Sequence, residues 1–581
     1  MLKEKIKVAA VAPKITVGNV TKNCDEIINI LNSIDNKNID VIAFPELSLC
    51  GSTCGDLFLY SNLIKACEIA INRIVEYTKD KSYHVIFGSP SIKDEKLYNS
   101  AFHIYNGSII KISSKKNLSD AEKRWFSPGC DNEYKETDIK IIIGDDFYSD
   151  NSISKLVINI AATPTLVTGY GYHKFFVEKY TESRNCSYLY ASAGPNESTT
   201  DYVYSGACLI ADKGRIIKEG TRFSFDNEII IDEIEINEPN KELSRIIVDK
   251  INVDESDIHP FIPDDENTLK NRCKEIIEIQ CTGLAKRMLH IHCNKLVLGI
   301  SGGLDSTHAL LVCVETMKKL NIPLENLICI TMPGFGTTNL TYANACNLVK
   351  SLGATLLEIS IKDACLKHFE DIGHDVNVHD VTYENTQARE RTQILMDYGN
   401  KIGAMAVGTG DLSELALGWC TYNGDHMSMY GVNASIPKTL MRHLVRYIAN
   451  NSDETTSKIL YSVLDTPVSP ELLPLDKNGK MVQKTENTIG PYDVHDYFIY
   501  HFVRHKKSPE ELLQMAVTAF DGIYTENEIR NWLTIFIRRF FNNQFKRSCM
   551  PDGVAVGTVS LSPRGAFIMP SDACYDEWLK F

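Results

Sequence analysis

The sequence predicts two consecutive α/β domains: a layered domain with a mixed sheet, followed by a doubly wound, largely parallel sheet. Three observations support this. Strand-like runs joined by short polar turns fill the first half, strands and helices alternate in the second, and a charged stretch with three prolines separates them at Glu238–Asp265. We therefore expect a first domain at residues 1–240, a linker at 241–265 and a second domain at 266–581.

The first half contains seven runs of apolar and β-branched residues that predict strands. Polar turns, such as Tyr105–Ser108 and Ala211–Gly214, separate neighbouring segments. The predicted strands are Lys7–Ala12, Val41–Phe44, His84–Gly88, Lys140–Ile143, Lys155–Ile160, Tyr188–Ala193 and Ala207–Ala211.

In the second half, strands alternate with helices, which is typical of a parallel sheet covered on both faces. Ligands in such sheets bind at the carboxyl ends of the strands. Ser301, Met332–Gly334 and Thr409–Asp411 lie at those ends, and about the last eighty residues are predicted to be helical and then irregular. The predicted strands are Leu296–Ile300, Leu327–Met332, Thr355–Ile361 and Ala404–Gly408.

Composition excludes several classes of protein. The formal net charge of −14 argues against a nucleic-acid partner. A membrane span needs a run of about 18 apolar residues, and the sequence has none. The start, MLKEKIKVAAVAP, lacks a signal-peptide core, so we expect a cytoplasmic protein. The 17 cysteines show no zinc-type spacing and are expected to be reduced core residues.

The most informative segment is Lys295–Leu320, where an apolar strand, the tight turn Ser301–Ser306 and an amphipathic helix follow one another. Adjacent glycines let the backbone pass close to a ligand, and the helix N-terminus behind them suits a phosphate. Asp305 inside an anion-binding turn requires a bridging cation, which indicates magnesium on a nucleotide pyrophosphate. The Walker A pattern is absent. The alternative is an ordinary glycine-rich turn.

Two further motifs carry polar groups at helix starts. The string Tyr383–Arg391 would present the amide of Asn385 and the guanidinium of Arg391 to a phosphate, unless it is only a solvated helix start. The string Gly408–Leu415 follows a strand, so Glu414 would complete a magnesium site with Asp305. An acid that only interacts with the helix dipole is the alternative there, and it fits Asp411 better than Glu414.

The remaining candidates are aromatic and basic residues. Trp419–Tyr422 supplies flat faces for stacking a ring. Lys438 and Lys546 are candidate partners for a phosphate or a carboxylate, although a lone lysine is usually solvent-exposed.

The turn at Ser301–Ser306 resembles the SGGxDS loop of the PP-loop ATP pyrophosphatases, which adenylate a substrate. From about Asn294 to the C-terminus, the chain is similar to the synthetase domain of the bacterial two-domain, glutamine-dependent NAD synthetases. GMP synthetases, argininosuccinate synthetases and tRNA thiolases share only the first loop. The matching strings are GISGGLDSTHALL, MPGFGTT, YENTQAR, GTGDLSELALGWCTY, NASIPKT, SVLDTPVSPELLP, NQFKRS and LSPRG.

The resemblance implies that deamido-NAD attacks the α-phosphate of ATP, pyrophosphate leaves, and ammonia displaces AMP from the acyl-adenylate. It implies Mg²⁺ at Asp305 and Glu414. It also implies two sets of binding residues. Those for ATP are Gly299, Ile300, Ser301, Gly302, Gly303, Leu304, Asp305, Ser306, Thr409 and Lys438. Those for deamido-NAD are Asn385, Arg391, Glu414, Trp419, Cys420, Thr421, Tyr422 and Lys546.

The first 230 or so residues resemble the nitrilase-type glutaminase domain of the same enzymes, on the strings FPELSLCG, LYNSA and NESTTD. The fold implied for the whole chain is thus a nitrilase-like α/β sandwich followed by a doubly wound, adenine nucleotide α-hydrolase-like PP-loop domain. The family hydrolyses glutamine with a Glu–Lys–Cys triad. Glu46 and Lys115 match the first two positions, and Gly144 stands at the position of the cysteine.

Glycine cannot form a thioester, so we expect the glutaminase to be impaired and free ammonia to be the nitrogen donor. Departures from the family pattern near Ala121, in Asn159–Pro164 and at Gly169 agree with this. The alternative is a fully glutamine-hydrolysing enzyme with a relocated nucleophile. Cys50, Cys54 and Cys186 are the candidates for that role, although nothing at these positions indicates a lowered thiol pKa.

Two hypotheses from other classes remain open. The chain as a non-catalytic scaffold is disfavoured by the retained acids Asp305 and Glu414, and an independent nitrilase-type hydrolase is disfavoured by Gly144. The resemblance further implies a homo-oligomer, with small molecules as the other partners: ATP, deamido-NAD, and ammonia or glutamine.

Overall fold

The computed structural model describes residues 3–129, 136–240, 255–466, 472–473 and 485–581. The chain forms two compact units. Unit 1 comprises Met1–Ser198 and Val203–Ile251, and unit 2 comprises Thr199–Tyr202 and Asn252–Phe581. Most of the predicted linker at 241–265 lies outside the described residues, and the exact domain boundaries stay a prediction.

Unit 1 contains β1–β11 and α1–α3. The strands are β1 Lys5–Ala12, β2 Val41–Ala43, β3 His84–Lys93, β4 Lys96–Tyr105, β5 Ser108–Ser114, β6 Glu136–Ile143, β7 Ile153–Ala161, β8 Ser187–Ser192, β9 Cys208–Asp212, β10 Arg215–Glu219 and β11 Glu228–Glu235. The helices are α1 Val20–Ile34, α2 Ser61–Tyr77 and α3 Gly169–Arg184.

Two mixed sheets pack face to face in unit 1, in the orders β11-β1-β2-β3-β4-β5 and β10-β9-β8-β7-β6. Alternate residues of a strand point to opposite faces. Val8 and Ala10 of β1 therefore join Ile158 and Ile160 of β7 in the core between the sheets. Ala9, on the other face of β1, packs in a second core that includes residues of α1 and α2. This arrangement is the predicted sandwich.

All seven strands predicted for unit 1 are present, and they divide between two mixed sheets. Four strands were missed: β4, β5, β10 and β11. The strands β5, β10 and β11 lie at sheet edges. Their apolar residues do not alternate between a buried and an exposed face, since Ile109, Ile110 and Ile112 of β5 and Ile217 of β10 are exposed. The period-two pattern by which a half-buried strand is recognised is therefore absent.

Unit 2 contains β12–β16 and α4–α16. The strands are β12 Leu296–Gly299, β13 Leu327–Thr331, β14 Thr355–Glu358, β15 Met405–Gly408 and β16 Tyr430–Gly431. The helices are α4 Glu266–His290, α5 Leu304–Lys319, α6 Asn339–Ser351, α7 Lys362–Ile372, α8 Val381–Ile402, α9 Leu412–Leu417, α10 Lys438–Asn450, α11 Glu454–Leu464, α12 Thr485–Ile489, α13 Tyr492–Ile499, α14 Pro509–Ala519, α15 Glu526–Asn542 and α16 Gln544–Arg547. A π-helical turn, Tyr500–Arg504, follows α13.

The sheet of unit 2 is parallel throughout, in the order β14-β13-β12-β15-β16. The chain leaves β12 towards β13 and β14 and later returns to the other side of β12 as β15. The strand order therefore reverses between β12 and β15, which is where doubly wound sheets bind ligands. The prediction of a strand to Ile361 was too long, since Ile361 is a buried residue that precedes α7.

Within the described ranges, no helix combines the length and the apolar character that crossing a lipid bilayer requires.

Candidate active site

The turn after β12 has the tight geometry that its glycines predict. Gly302 adopts φ +84°, and a Cβ atom on this residue would lie 2.0 Å from the carbonyl oxygen of Thr341. No other residue fits there without moving the backbone. The Ser306 hydroxyl lies 3.1 Å from the Ser301 hydroxyl and donates to the carbonyl of Gly303, which closes the turn on the first residues of α5.

Three carboxylates meet beside this turn. Asp305 lies in the first turn of α5, whereas Asp411 and Glu414 lie at the start of α9, after β15. One oxygen from each carboxylate lies within 4.8 Å of those from the other two. The sequence predicted that Asp305 and Glu414 would converge. An acid that only interacts with the helix dipole was expected to fit Asp411 better than Glu414, which was incomplete: Asp411 caps α9 and also joins the two other acids.

The ammonium of Lys438, the first residue of α10, lies among the three carboxylates. Its Nζ atom is 2.5 Å from Asp305 Oδ1, 2.7 Å from Asp411 Oδ2 and 3.2 Å from Glu414 Oε1. The Lys438 side chain is 2% exposed, so these pairs are shielded from water. The expectation of a solvent-exposed lysine does not hold here, because the buried acids need a cation.

Burial raises the pKa of Asp411 to about 7 and the pKa of Glu414 well above its usual range, although Lys438 opposes both shifts. Burial alone would lower the pKa of Lys438, but the charges of the three acids outweigh it and raise the pKa. The cluster thus has one resident cation against three acids, and its oxygens are suited to a further hard cation.

Cations from the C-terminal part of the chain hold the other end of α9, which is only six residues long. Arg547 donates to the carbonyls of Leu415 and Ala416, each at 3.1 Å. Arg539 donates to the carbonyl of Leu417 at 2.8 Å. Positive charge at a helix C-terminus is favourable, and the last carbonyls of a helix need donors. This short helix is therefore fixed at both ends.

Lys546 and its surroundings hold the segment after α9. The Lys546 ammonium donates to the carbonyls of Gly418 and Cys420, each at 2.7 Å, and burial lowers its pKa. The indole ring of Trp419 lies 4.9 Å from the guanidinium carbon of Arg539. In the structure, Lys546 therefore supports the Gly418–Cys420 backbone, and its predicted contact with a ligand stays a prediction.

Two other polar residues predicted to bind deamido-NAD, Asn385 and Arg391, contact different segments of the chain. Asn385 of α8 accepts a hydrogen bond from the Thr421 hydroxyl at 2.7 Å, so it joins the Trp419–Tyr422 segment. Arg391, farther along the same helix, donates to the carbonyl of Met332 at 3.2 Å. Tyr422 itself is 44% exposed, and its ring stacks on that of His426 with 5.2 Å between the ring centres.

Two further residues of the site, Asp425 and Asn433, were not predicted from the sequence. Asp425 lines a small recess with Glu414 and Cys420, it accepts from the backbone N–H of Thr421, and burial raises its pKa. Asn433 donates to the carbonyls of Asp305 and Thr409, and so links the first turn of α5 to the residue that follows β15. The N-G-D string at 423–425, close behind Tyr422, could have indicated Asp425; nothing in the sequence around Asn433 indicates its contacts.

Unit 1 holds a second buried cluster of charges. The Lys115 ammonium lies 2.9 Å from Glu46 Oε1 and 2.7 Å from Glu122 Oε1. Asn99 donates to Glu46 Oε1, and the backbone N–H of Ala162 donates to Glu46 Oε2. Burial raises the pKa of Glu46, whereas the charges of Glu46 and Glu122 outweigh the effect of burial and raise that of Lys115.

Glu122 was not among the predicted residues, and its distance of seven positions from Lys115 gave no pattern by which to choose it. It lies in the helical turn Glu122–Arg124, and its second oxygen accepts from the backbone N–H of Ser119. Glu46 and Lys115, by contrast, meet as predicted.

Gly144 lies next to this pair. It follows β6, begins the helical turn Gly144–Ser149 and adopts φ +56°. A Cβ atom on Gly144 would lie 3.1 Å from Glu46 Oε2 and 3.2 Å from Lys115 Nζ. A residue with positive φ between a strand and a helical turn is the geometry of a nucleophile elbow. The backbone at Gly144 thus aims at the acid and the ammonium, but it carries no side chain.

The three cysteines considered as substitutes lie in packed surroundings. Cys50 and Cys186 are buried, and burial raises the pKa of both thiols, that of Cys186 to about 12. The thiol of Cys54 lies 3.1 Å from the carbonyl of Cys50. Among the described hydrogen bonds of Glu46 and Lys115, none involves a cysteine.

Both halves of the chain match known families. The sequence profile of NAD synthase matches residues 276–532, and that of carbon-nitrogen hydrolase matches residues 7–236. The chain is 31% identical to a glutamine-dependent NAD⁺ synthetase from Mycobacterium leprae, over 99% of this chain and 97% of the relative. It is 26% identical to the enzyme of that name from Aquifex aeolicus, over 93% and 94%.

Solved structures agree on the fold. A glutamine-dependent NAD⁺ synthetase from Cytophaga hutchinsonii superposes with a TM-score of 0.80 at 22% identity and covers 99% of each chain. The corresponding protein from Acinetobacter baumannii, in complex with ADP, gives a TM-score of 0.67 at 22% identity, over 96% and 97%. With both halves matched in order and the M. leprae relative matched along nearly its whole length, this chain belongs to the glutamine-dependent NAD⁺ synthetase family.

Proposed function

We propose that this chain is a C–N ligase that converts deamido-NAD to NAD⁺ at the expense of ATP, with AMP and pyrophosphate as the other products. The single observation that carries the proposal is the meeting of Asp305, Asp411 and Glu414 beside the glycine turn, at the point where the strand order reverses. A carboxylate with hydroxide as leaving group does not form an amide readily. Adenylation replaces that leaving group with AMP, so ammonia can then attack.

The residues of unit 2 divide this work. We propose that the glycine turn and the first N–H groups of α5 bind the phosphates of ATP. The Trp419–Tyr422 segment, fixed by Asn385 and Lys546, would hold deamido-NAD, with the ring of Tyr422 partly exposed. Lys438, buried beside the acids, supplies positive charge next to the phosphates.

The three acids fit Mg²⁺, because they offer converging carboxylate oxygens, the ligands this ion prefers. Asp305 and Glu414 would hold it, with Asp411 as a third candidate. When bound, Mg²⁺ would neutralise charge that builds on the pyrophosphate. The same oxygens contact Lys438, so the metal and the ammonium share one set of acids.

We further propose that free ammonia is the nitrogen donor. The relatives are named glutamine-dependent. We expect a different nitrogen donor here because Gly144, whose backbone faces Glu46 and Lys115, has no thiol. The burial of Cys50 and Cys186 and their raised thiol pKa values argue against a relocated nucleophile.

The donor comparison tests this proposal. With deamido-NAD, ATP and Mg²⁺, purified protein is expected to form NAD⁺ with ammonium chloride, and to fall to near background when glutamine replaces ammonium. Product is measured by chromatography of NAD⁺ and AMP. Sustained glutamine-driven turnover would contradict the ammonia proposal. Thiol alkylation and peptide mapping would then find the cysteine responsible.

Replacing Gly144 by cysteine tests the position itself. We expect G144C to gain a thiol that iodoacetamide alkylates faster than exposed Cys549, because Glu46 can take its proton and Lys115 lies beside it. The left-handed backbone costs any non-glycine residue about 1–2 kcal/mol, so G144A is the matched control with equal strain and no thiol. A residue-144 thiol that stays unreactive in folded protein would mean that the position does not face the acid and the ammonium.

A further inference from the structure

We propose that Asp496 is a positioning residue for the synthetase reaction, which holds the backbone that carries Glu414 and Lys438. Asp496 lies on α13, is 1% exposed and stands outside the group of three acids. The inference rests on the proposed function, because it assigns Asp496 a role in that reaction. It adds a residue that neither the sequence motifs nor the three-acid cluster includes.

Both oxygens of Asp496 accept hydrogen bonds from residues of the cluster's two helices. Oδ1 accepts from the hydroxyl of Ser413 on α9. Oδ2 accepts from the backbone N–H of Thr439 at 3.0 Å and from its hydroxyl at 2.7 Å, on α10. One buried carboxylate therefore bridges the first turns of α9 and α10.

Helix α10 needs this contact because its own cap is missing. The residue before it is Pro437, whose side chain makes no capping hydrogen bond. The first N–H groups of a helix require acceptors. Here Ser413 Oγ accepts from the N–H of Lys438 at 2.9 Å, and Asp496 accepts from the N–H of Thr439. A carboxylate at this end of a helix is also favoured by the helix dipole.

The two residues that donate hydrogen bonds to Asp496 are next in sequence to Glu414 and Lys438. Ser413 precedes Glu414, and Thr439 follows Lys438. A shift of either backbone would move the Glu414 carboxylate or the Lys438 ammonium. Tyr492, one turn before Asp496 on α13, places its ring centre 5.4 Å from Lys438 Nζ. Helix α13 therefore supports both the backbone and the ammonium of Lys438.

The surroundings of Asp496 are those of a residue that holds the backbone of its neighbours in place. Burial raises its pKa to about 6, and within the described residues no ion pair involves it. A buried carboxylate without a cation is costly unless its oxygens are well bonded. The three hydrogen bonds from Ser413 and Thr439 meet that requirement, and all three come from the first turns of α9 and α10.

The test compares D496N with D493N in the full-length protein. Asp493 lies on the same helix, and its side chain is 50% exposed. Rates are measured with ATP, Mg²⁺, deamido-NAD and ammonium, and folding is checked by circular dichroism and thermal melting. We expect D496N to lose about 10- to 100-fold in kcat with little change in KM for deamido-NAD, whereas D493N behaves as wild type. A purely structural role would lower the melting temperature but leave kcat of the folded protein unchanged.

A second variant covers the case in which D496N does not fold. S413A removes one donor to Asp496 and the acceptor of the Lys438 N–H, and it is expected to lower kcat in the same direction. If D496N folds, the double variant is expected to lose less than the product of the two single losses, because the Ser413–Asp496 contact is shared by both. Folded D496N or S413A with wild-type kcat would overturn the inference. A wild-type protein that releases no pyrophosphate would instead overturn the proposed function before any variant is compared.

Discussion

Asp305→Asn is expected to abolish most ATP-dependent pyrophosphate release, with a loss of about 10²- to 10³-fold. The substitution keeps the size of the side chain but removes one of the three charges of the acidic cluster. It also removes the charge that Lys438 contacts at 2.5 Å. We therefore expect weaker binding of a divalent cation and a displaced Lys438 ammonium. Pyrophosphate is measured by a coupled assay, and Mn²⁺ affinity by electron paramagnetic resonance.

The control for this experiment is Asp363→Asn. Asp363 also lies in the first turn of a helix, α7, but it is exposed and outside the cluster. We expect this variant to retain wild-type rates and Mn²⁺ affinity. Wild-type rates in D305N would contradict the proposed metal site. If the wild-type protein itself releases no pyrophosphate, the scaffold hypothesis gains.

Lys438→Met is expected to cause a large loss of stability. Methionine keeps the length of the side chain but leaves three carboxylates without their buried cation. Removing one partner of a buried pair costs about 3–5 kcal/mol. Urea denaturation followed by tryptophan fluorescence measures the change. Lys362→Met is the control, because Lys362 is also the first residue of a helix but is exposed.

The loss in K438M should depend on pH in a defined direction. In the folded protein, burial raises the pKa of Asp411 to about 7, above its ordinary value in the unfolded chain. Folding therefore favours the protonated acid, and this group stabilises the fold less as pH rises through 7. Without the opposing ammonium, the pKa values of the acids rise further. We expect K438M to be closest to wild type near pH 5.5 and farthest from it near pH 8.5. A pH-independent difference would contradict the ionised cluster.

The parts of the site that the sequence predicted are those that follow from local pattern and sheet topology. Glycines in a strand–turn–helix pattern predicted the turn at Ser301–Ser306. Because parallel strands end at one edge of a sheet, Asp305 and Glu414 were predicted to lie close together, and they do. The family motifs placed Glu46 and Lys115, which are in contact.

The parts that the sequence analysis missed depend on contacts between distant segments. Asp496 lies 57 positions from Thr439, and no local pattern relates them. The burial of Lys438 follows from three acids elsewhere in the chain, so its own sequence neighbours did not predict it. Asp411 was expected only to interact with the helix dipole, because that is a local feature, whereas its contact with Lys438 is not.

The cations that hold the C-terminal end of α9 have a consequence for biosynthesis. Arg539 and Arg547 come 122 and 132 positions after the carbonyls of Leu417 and Leu415 that they hold. The acids of α9 and Lys438 leave the ribosome well before them, and a helix of six residues does not persist alone in water. We therefore expect the ordered start and end of α9 to form only after residues 539–547 have been synthesised. A chain cut before Arg539 is expected to lose the donors that hold the last carbonyls of α9.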